Sequence, residues 1–231
     1  AWEDASAMPI GARAPIGGVE LERFARLHAP MIELARALEA VGAEVWIVSA
    51  SAQPIVEALA EIAGLRSDRV IGVRMPRREW SATEGEVIDH GFEPCGQGAL
   101  ETPVMTWHEG KRCWINRVIF ERPIDRQRVR AEQAALRPVF AAGDSDGDLA
   151  MLQDATELRV VLDRHQPRVM CSALADPARW LVQPLFVDPP PPRSEPYPCA
   201  RFADELGPVR DEHGRSIADQ SPPRVDGSGT A

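Results

Sequence analysis

Apolar residues in this chain fall into two alternating kinds of run, and that rhythm limits the fold more than any other feature. In "ERFARLHAPMIELARALEAVG" (22–42), Phe24, Leu27, Met31, Leu34, Leu38 and Val41 recur at helical spacing, and Gly42 stands where a helix stops. Directly after it, "AEVWIVSAS" is an apolar run of strand length with Val45, Ile47 and Val48 at its centre. "AQPIVEALAEIAG" (52–64) then returns to a helix, with Pro54 near its first turn and Gly64 at its end. Helix, short buried strand, helix is the pattern of an α/β domain on a parallel sheet with helices on both faces, a Rossmann-like arrangement.

The rhythm is interrupted once and then resumes. "RVIGVRM" (69–75) reads as a strand, whereas 76–106 are rich in Gly, Pro, Thr and acidic residues. With "EVIDHGFE" and "PVMTW" as short strand candidates, a small β insertion is expected at about 69–106. A helix is predicted over 108–121, a further helix-prone stretch over "RQRVRAEQAAL", and then a strand "PVFAAG". The loop "DSDGD" opens a helix "LAMLQDA", followed by strand "ELRVVLD" and helix "PRVMCSALAD". The four consecutive prolines at 189–192 can enter neither a helix nor a central strand. The expected division is an irregular lead-in or cap remnant at 1–27, an α/β core at 28–184, and a Pro-rich, largely irregular or disordered tail at 185–231.

Composition removes several function classes. A net charge of −9 opposes general binding to a nucleic-acid backbone, which needs excess cation. No apolar run approaches the roughly 20 residues that span a bilayer. The four cysteines, Cys95, Cys113, Cys171 and Cys199, lack zinc-like spacing; their even number permits disulfides without requiring them. Of 26 basic residues only Lys111 is lysine. A lone lysine arises by chance, or where a compact point charge on a flexible stem is needed.

Three places carry chemistry. "AAGDSDGDLAML" packs Asp144, Asp146 and Asp148 into one loop between a strand and a helix, where such carboxylates repel unless solvated or neutralised. A Ca²⁺ loop of the EF-hand type fails at Leu149 and Ala155, where Gly and Glu are required. Two readings remain: a hard-cation site using Asp144 and Asp148, or an acidic helix cap. At the end of "VWIVSAS", Ser49 and Ala50 supply a hydroxyl and a backbone N–H that suit an anion, or an ordinary Ser cap. In "HEGKRCW", Lys111 opens a predicted helix and is suited to neutralising a phosphoryl group.

The order Ser, Lys, acidic loop resembles motifs II, III and IV of the haloacid dehalogenase superfamily, over roughly residues 28–190. "WHEGK" and the β-rich stretch before it are similar to the phosphoserine-phosphatase-like branch, and "RHQPRVMCSALADPARWLVQPLFVDP" to its phosphorylcholine-phosphatase-like members. The resemblance implies a Mg²⁺-dependent phosphohydrolase working through an aspartyl-phosphate. Ser49 and Ala50 would bind phosphate, Lys111 would act as charge-balancing catalytic residue, and Asp144 and Asp148 would serve the Mg²⁺; Asp146 has no fixed role in that pattern. The substrate implied is a small phosphomonoester, with phosphocholine in view, and the location extracytoplasmic. Trp80 and Trp107 flank the inserted region; an aromatic face can hold a quaternary ammonium, although packing is the commoner use.

One motif of that family is missing. Its nucleophile and its general acid/base are the two aspartates of an apolar strand ending in DxDx(T/V), which precedes the Ser motif. Here the only acidic candidate is Asp4 in "AWEDASAM", with no apolar strand before it. The sequence therefore leads us to expect the C-terminal part of a longer enzyme, inactive by itself, or a non-catalytic binding protein of the same fold.

Overall fold

The structure is a computed structural model that describes residues 2–74, 95–96, 105–202 and 206–222. It is a mixed α/β fold whose main ladders are parallel. In chain order the elements are helix α1 (Trp2–Ala7), strands β1 (Arg13–Ile16) and β2 (Val19–Glu22), helix α2 (Ala29–Ala40), strand β3 (Ile47–Ala52), helix α3 (Gln53–Ile62) and strand β4 (Val70–Val73). Helix α4 (Glu109–Val118), strand β5 (Phe140–Gly143), helix α5 (Leu149–Asp154), strand β6 (Leu158–Asp163), helix α6 (Pro167–Ala175) and strand β7 (Trp180–Pro184) follow. β3 pairs with β4, and β5, β6 and β7 form a three-stranded sheet in sequence order, all parallel. Of the β insertion expected at about 69–106, residues 70–73 form β4, parallel to β3, while 75–94, with Trp80, and 97–104 lie outside the described residues.

Several boundaries differ from expectation. The helix predicted over 22–42 begins only at Ala29, because Pro30 fits a first turn, whereas in a helix interior its missing N–H would cost a hydrogen bond. The lead-in holds α1 and an antiparallel β1–β2 hairpin. The helix-prone stretch over 126–136 forms no α-helix, only 3₁₀ turns at Ile124–Arg126 and Ala134–Leu136. The carbonyls of Gln127 and Val129, which a helix would use, instead accept from the buried Asn116 side chain at 2.8 and 3.2 Å. β7 was not foreseen.

The core draws on both ends of the fold. Val161 of β6, Val169 and Met170 of α6, and Leu152 of α5 are buried together with Tyr197, Cys199, Val209 and Ile217, which the sequence places in the tail. This part of the tail is irregular in backbone, and these four side chains join it to the core. All four cysteines are paired: Cys95 with Cys113, fastening α4, and Cys171 with Cys199, fastening the tail to α6.

An ion cluster closes the same seam. Glu212 of the tail meets Arg179 at 2.7 Å, Arg130 at 2.9 Å and Arg159 at 3.0 Å. Burial alone would raise the Glu212 carboxyl, but hydrogen bonds from Arg179 and Arg159 outweigh it and bring it down from 4.5 to about 2. A carboxylate depressed on folding stabilises the fold above its unfolded value and loses that contribution as pH falls. Between pH 5 and pH 2.5 the native chain is expected to lose more stability than Glu212→Gln, read as the difference in urea midpoints. Parallel losses would mean that Glu212 is not held by these arginines.

Candidate functional site

The carboxyl ends of β3 and β5 bring the sequence candidates together. Ladder register between β3 and β4 is regular at Ile47 and Val48 and resumes at Ala52, so Ser49, Ala50 and Ser51 stand outside regular pairing. Ser49 Oγ accepts from the Ser51 N–H at 3.1 Å, and the Ser49 carbonyl accepts from the buried Thr106 hydroxyl. The strand runs on past Ser49 to Ala52, so the hydroxyl sits on an irregular strand segment, where a helix cap had been one alternative. Ala50 is exposed next to it.

Lys111, in the first turn of α4, reaches this point from the other side. Its Nζ donates to the Val48 carbonyl at 2.8 Å and to Asp148 Oδ1 at 2.5 Å, and it is only 7% exposed. A buried ammonium is costly unless paired, and here it has both a carboxylate and a carbonyl. Two ties set the position of α4. Cys113 joins Cys95, and Arg112 grips Asp154 of α5 at 2.7 and 2.8 Å. The single lysine of the chain thus sits at the junction of the β3 edge and the acidic loop.

Each aspartate of that loop is engaged by a different group. Asp148 takes Lys111 on Oδ1, while Oδ2 accepts from the Ser145 hydroxyl at 2.8 Å, the Ser145 N–H at 3.0 Å and the Asp144 N–H at 3.1 Å. Burial pushes its carboxyl up, but Lys111 and these donors hold it below its ordinary value. Asp146 turns to the start of α6, where Oδ1 accepts from the Val169 N–H at 2.9 Å; burial raises this carboxyl despite that bond. Asp144 is answered by Arg164, its Oδ2 lying 2.8 Å from the guanidinium. Close packing at Gly143 allows the arrangement, since a Cβ there would stand 2.6 Å from Asp148.

This donor set limits how a cation can be held. Asp148 is buried and already engaged at both oxygens, which suits a residue that orders the loop and Lys111. Asp144, with 40% of its side chain exposed, is a hard oxygen donor that fits Mg²⁺ or a similar ion. No group of three or more His, Cys, Asp or Glu side chains suited to a metal is present among the described residues.

Two neighbours escaped the sequence reading. Thr106 and Arg164 lie within quoted stretches, but neither type stands out there, and in a chain with 25 arginines a single one carries no signal. Trp107 is 55% exposed, so it is not packed in the core; its ring lies against His108, and a Cβ on Gly147 would stand 2.4 Å from it. His108 caps α4 by position, with φ of 48° and no side-chain cap bond. No helix among the described residues is long and apolar enough to cross a membrane.

Comparison with known proteins gives one family. Residues 11–153 match the profile of haloacid dehalogenase-like hydrolases. No curated protein matches the chain. A solved structure, described as that of a conserved functionally unknown protein from Anaerococcus prevotii DSM 20548, is 28% identical with a TM-score of 0.47, covering 65% of this chain. The present chain spans 36% of that protein's length.

Proposed function

Because the chain belongs to the haloacid dehalogenase-like hydrolases, we propose that it is the phosphate-holding part of a Mg²⁺-dependent phosphomonoesterase of the phosphoserine-phosphatase-like branch. The observation that carries this reading is the buried Lys111, held between the Val48 carbonyl and Asp148 beside Ser49. In this reading the Ser49 hydroxyl and the Ala50 N–H bind phosphoryl oxygens, and Lys111 offsets the charge that builds on them in the transition state. Asp148 keeps the ammonium in place. Asp144 supplies a carboxylate to Mg²⁺, which when bound neutralises phosphoryl charge.

The nucleophile is a carboxylate for which this chain has no motif. We assign it to a strand lying between β3 and β5, each of which has a strand neighbour on one side only among the described residues. That carboxylate attacks phosphorus in line as the ester oxygen leaves, and water then releases phosphate from the aspartyl-phosphate. By this account the chain alone does not turn over. A small phosphomonoester is the substrate; phosphocholine is a natural first trial because the exposed Trp107 ring lies beside the acidic loop. Two disulfides favour an extracytoplasmic location.

The test compares this chain with the natural protein, its start read by intact mass and N-terminal sequencing. Phosphate release from phosphocholine and from an aryl phosphate is measured with Mg²⁺. The natural protein is expected to hydrolyse at least one, and Lys111→Met within it to lower kcat/KM on the order of 10²–10³-fold, as for loss of one charge-stabilising donor. Equal turnover by this chain alone would sink the assignment of the nucleophile. Phosphate binding without turnover in the natural protein would favour the non-catalytic binding reading, to which the lack of a nucleophile motif also points.

A further inference from the structure

The three aspartates of the loop differ in how firmly they are neutralised. Asp148 and Asp146 are held in largely buried surroundings by Lys111 and by the first turn of α6. The Asp144–Arg164 pair lies at the surface, with side chains 40% and 53% exposed. An exposed ion pair of this kind is worth only a factor of about two to five in an equilibrium constant. Among the described residues it is the ion pair of the acidic loop that a small ligand can open at least cost.

The backbone that presents Arg164 is well held. It follows β6 directly, and the next residue, His165, has φ of 58°. The His165 main-chain N–H donates to Asp163 Oδ1 at 2.8 Å, and its ring Nε2 lies 2.7 Å from the Pro191 carbonyl. The Arg164 backbone is therefore placed at the carboxyl end of β6, next to that of β5, and its long side chain is 53% exposed. A guanidinium and a divalent cation compete for the same lone pairs of Asp144. Once released, the guanidinium remains on the side of the sheet where an anion would lie, and its fork matches phosphate oxygens.

We propose that Arg164 is an exchangeable counter-ion of Asp144, which a divalent cation displaces and which then binds the phosphoryl group of the ligand. The proposal rests on the reading of Asp144 as a cation ligand. Its consequence is coupling: cation binding frees the anion-binding group, so each ligand favours the other by the same factor.

The experiment is calorimetric titration of the natural protein, which carries the completing carboxylate, with Mg²⁺, with and without inorganic phosphate, for the native sequence, Arg164→Gln and Asp144→Asn. Without phosphate, Arg164→Gln is expected to bind Mg²⁺ about two- to fivefold tighter than the native protein, because the competitor is gone. Phosphate should tighten Mg²⁺ binding in the native protein and do so less in Arg164→Gln. Asp144→Asn should lose Mg²⁺ binding. Mg²⁺ affinity in Arg164→Gln that equals or falls below the native value, with Asp144→Asn still defective, overturns the exchange alone. Tighter Mg²⁺ binding with an undiminished phosphate effect overturns the anion-binding half. Native-like Mg²⁺ binding by Asp144→Asn, or none by any variant, overturns the cation reading of Asp144 and the exchange with it.

Discussion

Asp148→Asn is expected to cost about 3–5 kcal/mol of folding stability, the usual penalty for leaving one member of a buried ion pair without its partner. The ammonium of Lys111 would keep the Val48 carbonyl but lose the charge that offsets its burial. The loop would lose strength as well, since Asp148 Oδ2 collects the N–H groups of Asp144 and Ser145. Lys111→Met should cost less, because Asp148 retains its three donors on the other oxygen. In the double variant both charges vanish, and stability should recover relative to the sum of the single losses. Urea unfolding of the four proteins measures this. A loss below about 1 kcal/mol in Asp148→Asn would mean that the pair behaves as a solvated surface contact.

The second large effect concerns the tail. Replacing Cys171 and Cys199 together by Ala should lower stability by roughly 3–4 kcal/mol on the loop-closure account of a bridge, given a sequence separation of 28. Tyr197, Val209 and Ile217 are buried against α6 and its neighbours, so opening the bridge should also expose the tail to protease between 185 and 222. The expected result is a lower unfolding midpoint and early cleavage within that range. A double variant that resists protease as the native chain does would show that apolar packing and the Glu212 cluster hold the tail without help.

Much of this architecture was readable in the chain, and the reasons are local. Strand β3, helix α3, strands β5 and β6 and helix α6 each carry their own period and punctuation, so short windows reveal them. Lys111 and the acidic loop were legible because residue type and spacing there serve chemistry. The packed tail was not, because Tyr197, Cys199, Val209 and Ile217 follow no period; a disulfide, an ion cluster and distant apolar partners place them. Arg164 was invisible for a related reason, since its meaning comes from Asp144, twenty residues away in sequence. The division of Asp144, Asp146 and Asp148 among a guanidinium, a helix start and an ammonium also needed the fold, because spacing alone offered a cation shared by Asp144 and Asp148, or an acidic helix cap.

The disulfide pattern has a consequence for biosynthesis. Cys95 pairs with Cys113 and Cys171 with Cys199, so the bridges join neighbours along the chain and neither encloses the other. A ribosome or translocation channel delivers these thiols in that same order. Of these four, each cysteine that appears second finds its partner already waiting, with no thiol of the other pair left free. Oxidation in chain order joins these four in their native pairs without reshuffling, and the second bridge brings Tyr197 and Cys199 to the core beside α6.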